Sequence, residues 1–202
     1  MDKFSFFFAF YSLVLGLALT ELLAGFGGMI RAHAVRKIEA QTALLAVFVF
    51  ISICATWIDA WTMTARSVSL NFQDLWAPIL LATAYYLAAV VVFPREREQF
   101  AHLHMYFAAR KKFVVGMLFV AGLLEGYANR TFMEDAYQHR QAIFWAWLVP
   151  YNVLIFGCLV ALFFARGRRA NVALLIALIL LLLVPYWSEG TIDRMAASLW
   201  GA

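Results

Sequence analysis

Charge is what this sequence has least of. Asp, Glu, Lys and Arg together make up 14% of the 202 residues, against about a quarter in an ordinary soluble domain. A water-soluble fold built from it would have too little polar surface to cover itself. Cysteine is also scarce: Cys54 and Cys158 both fall inside apolar runs. They show neither a disulfide framework nor paired metal-ligand spacing, and read as small buried hydrophobes. There is no Walker phosphate loop, GxSxG elbow, HExxH zinc helix or potassium-filter sequence. The signatures of nucleotide, serine-hydrolase, zinc-peptidase and selective potassium chemistry are therefore missing. No basic arm suggests nucleic acid, and no metal or cofactor is implied. Linkers and low-complexity tracts are absent too, and the loops are too short for a soluble unit, so 1–202 reads as a single domain.

Apolar residues are what the chain has instead. They make up 65% of it, with a mean hydropathy of +0.80. In lipid every backbone polar group must be satisfied within a helix or a closed barrel. Barrel strands alternate polar and apolar residues, and these runs do not. The expectation is an all-α membrane protein, a compact polytopic bundle of six helices. The spans fall at about 4–30, 41–63, 75–93, 113–127, 143–164 and 172–186, where a bilayer requires ~20 mostly apolar residues. The fourth has a short apolar run and needs Lys111, Lys112 and Arg130 to snorkel to the interfaces. Ala32-His33-Ala34 has the small-x-small form of a signal-peptide cleavage site. The apolar stretch before it is too long and is interrupted by Glu21, so a retained first helix is expected.

Basic residues set the orientation. One alternate set of loops carries Arg31, Arg36, Lys37, Arg95, Arg97, Arg110, Lys111, Lys112, Arg166, Arg168 and Arg169, and the other carries Lys3, Arg66, Arg130, Arg140 and Arg194, a split of 11 against 5. This predicts N-out/C-out topology. Trp57, Trp61, Trp76, Trp145, Trp147 and Trp187 then gather at the outer interface as anchors. Between spans 3 and 4, Phe100, Leu103 and Phe107 recur at helical spacing among charges, which predicts an interfacial amphipathic helix on the cytoplasmic face. The compact loops and the first-span pattern LGLALTELLAGFG point to the inner membrane of a bacterium.

The candidate chemistry lies in three carboxylates within the spans, Glu21, Asp59 and Glu125, with no Lys, Arg or His in any span to neutralise them. Such groups are costly in a bilayer and are functional by default. Measured from the cytoplasmic helix ends they lie ~14, ~27 and ~18 Å deep respectively at ~1.5 Å per residue, a ladder across the membrane. Ser52, Thr56, Asp59 and Thr62 follow at steps of three or four, one polar stripe on one helix face. Antiparallel pairing of the first two spans would put Ser52 level with Glu21, and Tyr11 and Ser12 level with Asp59.

Small residues at four-residue spacing, Gly16 with Thr20, Ala24 with Gly28 and Gly122 with Gly126, are expected to pack helices. A faint echo links spans 1–3 with 4–6, where Leu22–Phe26 resembles Leu123–Tyr127. His33, His102, His104 and His139 lie in loops. The outer-loop group Glu134, Asp135, His139 and Arg140, with Glu189 and Asp193 near it, reads first as solvated surface.

The residues favour a small proton- or cation-conducting protein over an enzyme. The competing reading is a non-catalytic membrane subunit or scaffold that binds another membrane protein through its small-residue faces, or assembles with a second copy. Last comes an enzyme acting on a lipid or quinone, with His139 as base.

Overall fold

The computed structural model describes residues 3–31, 38–63, 72–94 and 103–187. Among them every regular element is helical. The order is α1 (Lys3–Arg31), α2 (Ala40–Met63), α3 (Phe72–Val92), α4 (Leu103–Ala128), the short α5 (Arg130–His139) and α6 (Gln141–Ile143). A π-helical turn (Phe144–Leu148) then leads into α7 (Val149–Phe164), followed by α8 (Arg168–Trp187). Four stretches are long and apolar enough to cross a membrane: Phe8–Arg31, Ala40–Ala60, Phe144–Phe164 and Arg168–Tyr186. Trp76–Val92 in α3 is apolar but shorter. The 26 residues of α4 give it ample length, about 39 Å, but it also carries Arg110, Lys111, Lys112 and Glu125.

These helices are apolar around most of their circumference, the pattern of helices that meet lipid as well as protein. Leu13, Leu17, Val153, Leu154 and Leu180 stay exposed on the perimeter. A core of Leu15, Ala18, Val49, Ala82, Ala88, Leu118, Leu162 and Leu178 is sealed between the helices. The packing order forms a ring: α1 along α3, α3 along α4, α4 along α7, α7 along α8, α8 along α2, and α2 back along α1. Because α2 also reaches α3 and α4, it touches more of the bundle than its place in the ring requires. The sequence echo between the two helix triplets has no packing counterpart, since α1 and α3 pack together while α4 and α8 hardly touch among the described residues.

The two ends of the bundle differ in chemistry. At one, Trp57 Nε1 donates to Ser12 Oγ at 2.9 Å, and the Trp76 and Tyr127 rings lie 5.0 Å apart. At the other, Phe26 and Phe93 lie 6.1 Å apart and the Lys112 ammonium sits 5.6 Å over the Phe163 ring, beside exposed Arg31, Arg110, Arg166, Arg168 and Arg169. We call these the aromatic end and the basic end. Close approach near the basic end depends on Gly25, where an added Cβ would stand 3.0 Å from Phe93 Cβ. Toward the aromatic end, Pro150 enters α7 in its first turn. It lacks an N–H and its ring would crowd the carbonyl four residues earlier in a regular helix. The preceding turn is widened instead, with the Val149 N–H bonded to Phe144 O.

The expected interfacial helix is corrected in its described half. Residues 103–112 run without a break into the apolar part of α4, while 95–102 lie outside the described residues. Packing explains the continuity: Phe107 is buried, and the Tyr106 hydroxyl donates to Val91 O at 2.9 Å and also approaches Phe93 O at 3.3 Å, tying this turn to the end of α3. Lys111 likewise does not snorkel. It is 5% exposed, and its ammonium donates to Ala165 O at the end of α7 and to Asn171 Oδ1 of α8, so a cation stabilises the carbonyl end of a helix.

A carboxyl–hydroxyl cluster as candidate functional site

Polar groups from six helices converge toward the aromatic end. Thr56 and Asp59 are three residues apart on α2 and so share one of its faces, the face turned toward α4 and α8. Thr56 Oγ1 lies 3.3 Å from Glu125 Oε1 of α4 and 3.1 Å from the Tyr85 hydroxyl of α3. The Tyr186 hydroxyl of α8 donates to Asp59 Oδ1 at 3.2 Å. The two carboxyl groups act electrostatically on each other. Their fields also reach the phenols of Tyr11 on α1, Tyr85, Tyr151 on α7 and Tyr186. Tyr85 can sit this deep because its helix is lined with small buried residues, Ala82, Ala84, Ala88 and Ala89. These bring the neighbouring backbones close and leave the ring to fill the space between them.

The structure therefore places Tyr11, Thr56, Asp59 and Glu125 together at one level. The axial distance from Thr56 to Asp59 is only about 4.5 Å. Ser12 stands beside the cluster as the acceptor for Trp57, the register expected for antiparallel α1 and α2. Ser52 is buried on the same stripe, but its hydroxyl is turned back onto Phe48 O of its own helix at 2.8 Å. Glu21, half-buried on α1, lies ten residues, about 15 Å, from Tyr11 toward the basic end and stands apart from the cluster. Two of the three acids thus belong to one cluster, and Glu21 lies toward the basic end.

The small-residue positions also divide. A Cβ on Gly122 would meet the Phe156 ring at 3.1 Å, so α4 and α7 approach closely there. Gly16, Gly28 and Gly126 meet nothing within 4 Å. At the far edge of the aromatic end, His139 Nδ1 pairs with Asp135 Oδ1 at 3.2 Å along α5, with both side chains mostly in solvent. Among the described residues no three His, Cys, Asp or Glu side chains are grouped to hold a metal. His33, His102, Glu189 and Asp193, and the side chains of Trp61, Thr62, His104 and Trp187, lie outside the described residues.

Three members of the cluster were not found from sequence: Tyr85, Tyr151 and Tyr186. Each is a hydroxyl-bearing aromatic within or at the end of an apolar run, and such residues read as interfacial anchors. Depth carries only part of the signal: counted from the basic helix ends at ~1.5 Å per residue, Tyr151 (~20 Å) and Tyr186 (~21 Å) lie near the level of Glu125, whereas Tyr85 (~12 Å) does not. Compared with family models, curated proteins and solved structures, the chain matches none of them.

Proposed function

We propose that the chain is a six-span bundle of a bacterial inner membrane, with both termini on the non-cytoplasmic side, that conducts protons or a small cation through the Asp59–Glu125 cluster. The observation that carries this reading is the junction at Thr56, where one buried hydroxyl touches a carboxyl group and a buried phenol while a second carboxyl group lies one helical turn away. Intramembrane acids are costly in a bilayer and commonly mark ion or proton routes. Hydroxyls between them supply the continuity that such a route needs. In this reading Glu21 extends the path toward the basic end, and the basic loops face the cytoplasm.

The test is pH-dye flux in proteoliposomes under an imposed gradient, comparing the wild type with Glu125→Gln, Asp59→Asn and Glu21→Gln. Flux that is lost in the first two variants while they remain folded supports the reading, and the third shows whether the path continues through Glu21. Absence of wild-type flux under both gradient polarities overturns it. The alternative is a subunit that binds another membrane protein or a second copy of itself. It draws on the open space around Gly16, Gly28 and Gly126, and mild-detergent purification with a stoichiometric partner would favour it.

A further inference from the structure

Counting protons restricts how the cluster can work. Thr56 Oγ1 is within hydrogen-bond distance of both Glu125 Oε1 and the Tyr85 hydroxyl, but a threonine hydroxyl owns one proton and can donate to only one of them at a time. With Glu125 ionised, the carboxylate can only accept, so Thr56 donates to it and Tyr85 donates to Thr56. With Glu125 protonated at Oε1, the carboxyl group donates to Thr56, whose own proton turns to Tyr85. The heavy atoms are the same in both states, and the direction of the hydrogen bonds is reversed. Thr56 is 3% and Tyr85 4% exposed, so bulk water does not replace either partner. The Asp59 field also reaches Tyr85.

Building on the transport reading, we infer that the cargo is the proton itself and that Thr56 hands it over between Glu125 and Tyr85. A proton leaves Glu125 Oε1 for Thr56 Oγ1 as the threonine's own proton passes to the Tyr85 oxygen. Tyr85 gives up its own phenolic proton in turn to a bridging water, which passes one of its protons on to the Asp59 carboxylate. Glu125 changes from acid to carboxylate, Asp59 changes from carboxylate to acid, and both hydroxyls end with the number of protons they began with. An alkali cation would require the same oxygens to turn their lone pairs toward it, at the loss of the hydrogen bonds among them.

The experiment compares wild type, Thr56→Val and Thr56→Ser in proteoliposomes. It reads proton flux, sodium and potassium uptake, and the infrared carbonyl stretch of protonated Glu125, assigned by its loss in Glu125→Gln. Valine keeps the shape and removes the hydroxyl, so proton flux should fall by about a hundredfold, the lower end of what a positioned proton-transfer group supplies. The Glu125 band should shift to higher frequency as its hydrogen bond is lost. Serine should restore both readouts. If the valine variant does not reconstitute, Tyr85→Phe breaks the same chain one oxygen further on, and the same loss of flux is expected. Wild-type proton flux that survives both substitutions overturns the hand-over and leaves the transport reading standing. Flux of sodium or potassium in place of protons overturns the assignment of cargo. No wild-type flux of any ion overturns the transport reading and this inference with it.

Discussion

Tyr186→Phe removes one oxygen from the cluster and tests whether the end of α8 is tied to α2 by a hydrogen bond to a carboxyl group. Tyr186 Oη stands 3.2 Å from Asp59 Oδ1, beyond the 2.5–3.0 Å range typical of O–H···O bonds. The contact therefore belongs at the weak end of its class. A hydrogen bond to an ionised group contributes about 1.5–3 kcal/mol and one between neutral groups about 0.5–1.5 kcal/mol. The expected cost of Tyr186→Phe is thus about 1–1.5 kcal/mol, a several-fold change in the folding equilibrium. Asp59→Asn keeps an acceptor oxygen but no charge, so in that background Tyr186→Phe should cost less than in the wild type, by at least about 0.5 kcal/mol. The assay is a double-mutant cycle by SDS titration in mixed micelles, followed by circular dichroism. Additivity within about 0.3 kcal/mol would mean that the two groups do not sense each other, and the cluster would lose its α8 member.

Two further perturbations address the frame that holds the cluster. Gly25→Ala places a methyl group 3.0 Å from Phe93 Cβ, an atom fixed to the backbone, and should cost about 1–3 kcal/mol. Gly16→Ala enters open space and should gain up to about 1 kcal/mol of helix propensity. Opposite shifts in thermal midpoint are therefore expected in detergent, and shifts of the same sign would refute the packing described for α1 and α3. Lys111→Met leaves Ala165 O and Asn171 Oδ1 without their donor, at about 1–3 kcal/mol each, offset in part because an ammonium is no longer kept out of water. A net loss of about 1–3 kcal/mol is expected in the same SDS titration, and an unchanged midpoint would show that this contact contributes nothing.

The polar stripe on α2 was legible because helical spacing alone puts Thr56 and Asp59 on one face, and acids in apolar runs are conspicuous. Their partners were not legible. Tyr85, Tyr151 and Tyr186 come from three other helices, and which helices adjoin α2 depends on the ring order, which no local pattern encodes. The depth expected for Glu125 was counted from the start of the apolar run at 113, on the premise that the helix met water there. In fact α4 begins at Leu103 and Lys111 is buried against the end of α7. A basic residue next to an apolar run has two outlets, water or a neighbouring helix's terminal carbonyls, and only the tertiary structure chooses between them. The continuity of 103–112 with α4 was hidden likewise, because Phe107 at helical spacing fits a membrane surface and a helical partner equally well.

The hydrogen bond between Tyr186 and Asp59 spans 127 positions of the chain, and its consequence lies in the order of synthesis. At about 5–20 residues per second a ribosome takes about 6–25 s to make that interval. During that time α2 exists, with its carboxyl group, before the helix that supplies the Tyr186 hydroxyl has been made. Glu125 reaches Thr56 partway through, and Tyr151 follows it. No nascent chain that stops short of Tyr186 contains all seven groups, so the cluster comes into being only when α8 docks. Any quality-control factor that surveys the unfinished protein meets Asp59 before Tyr186 has arrived.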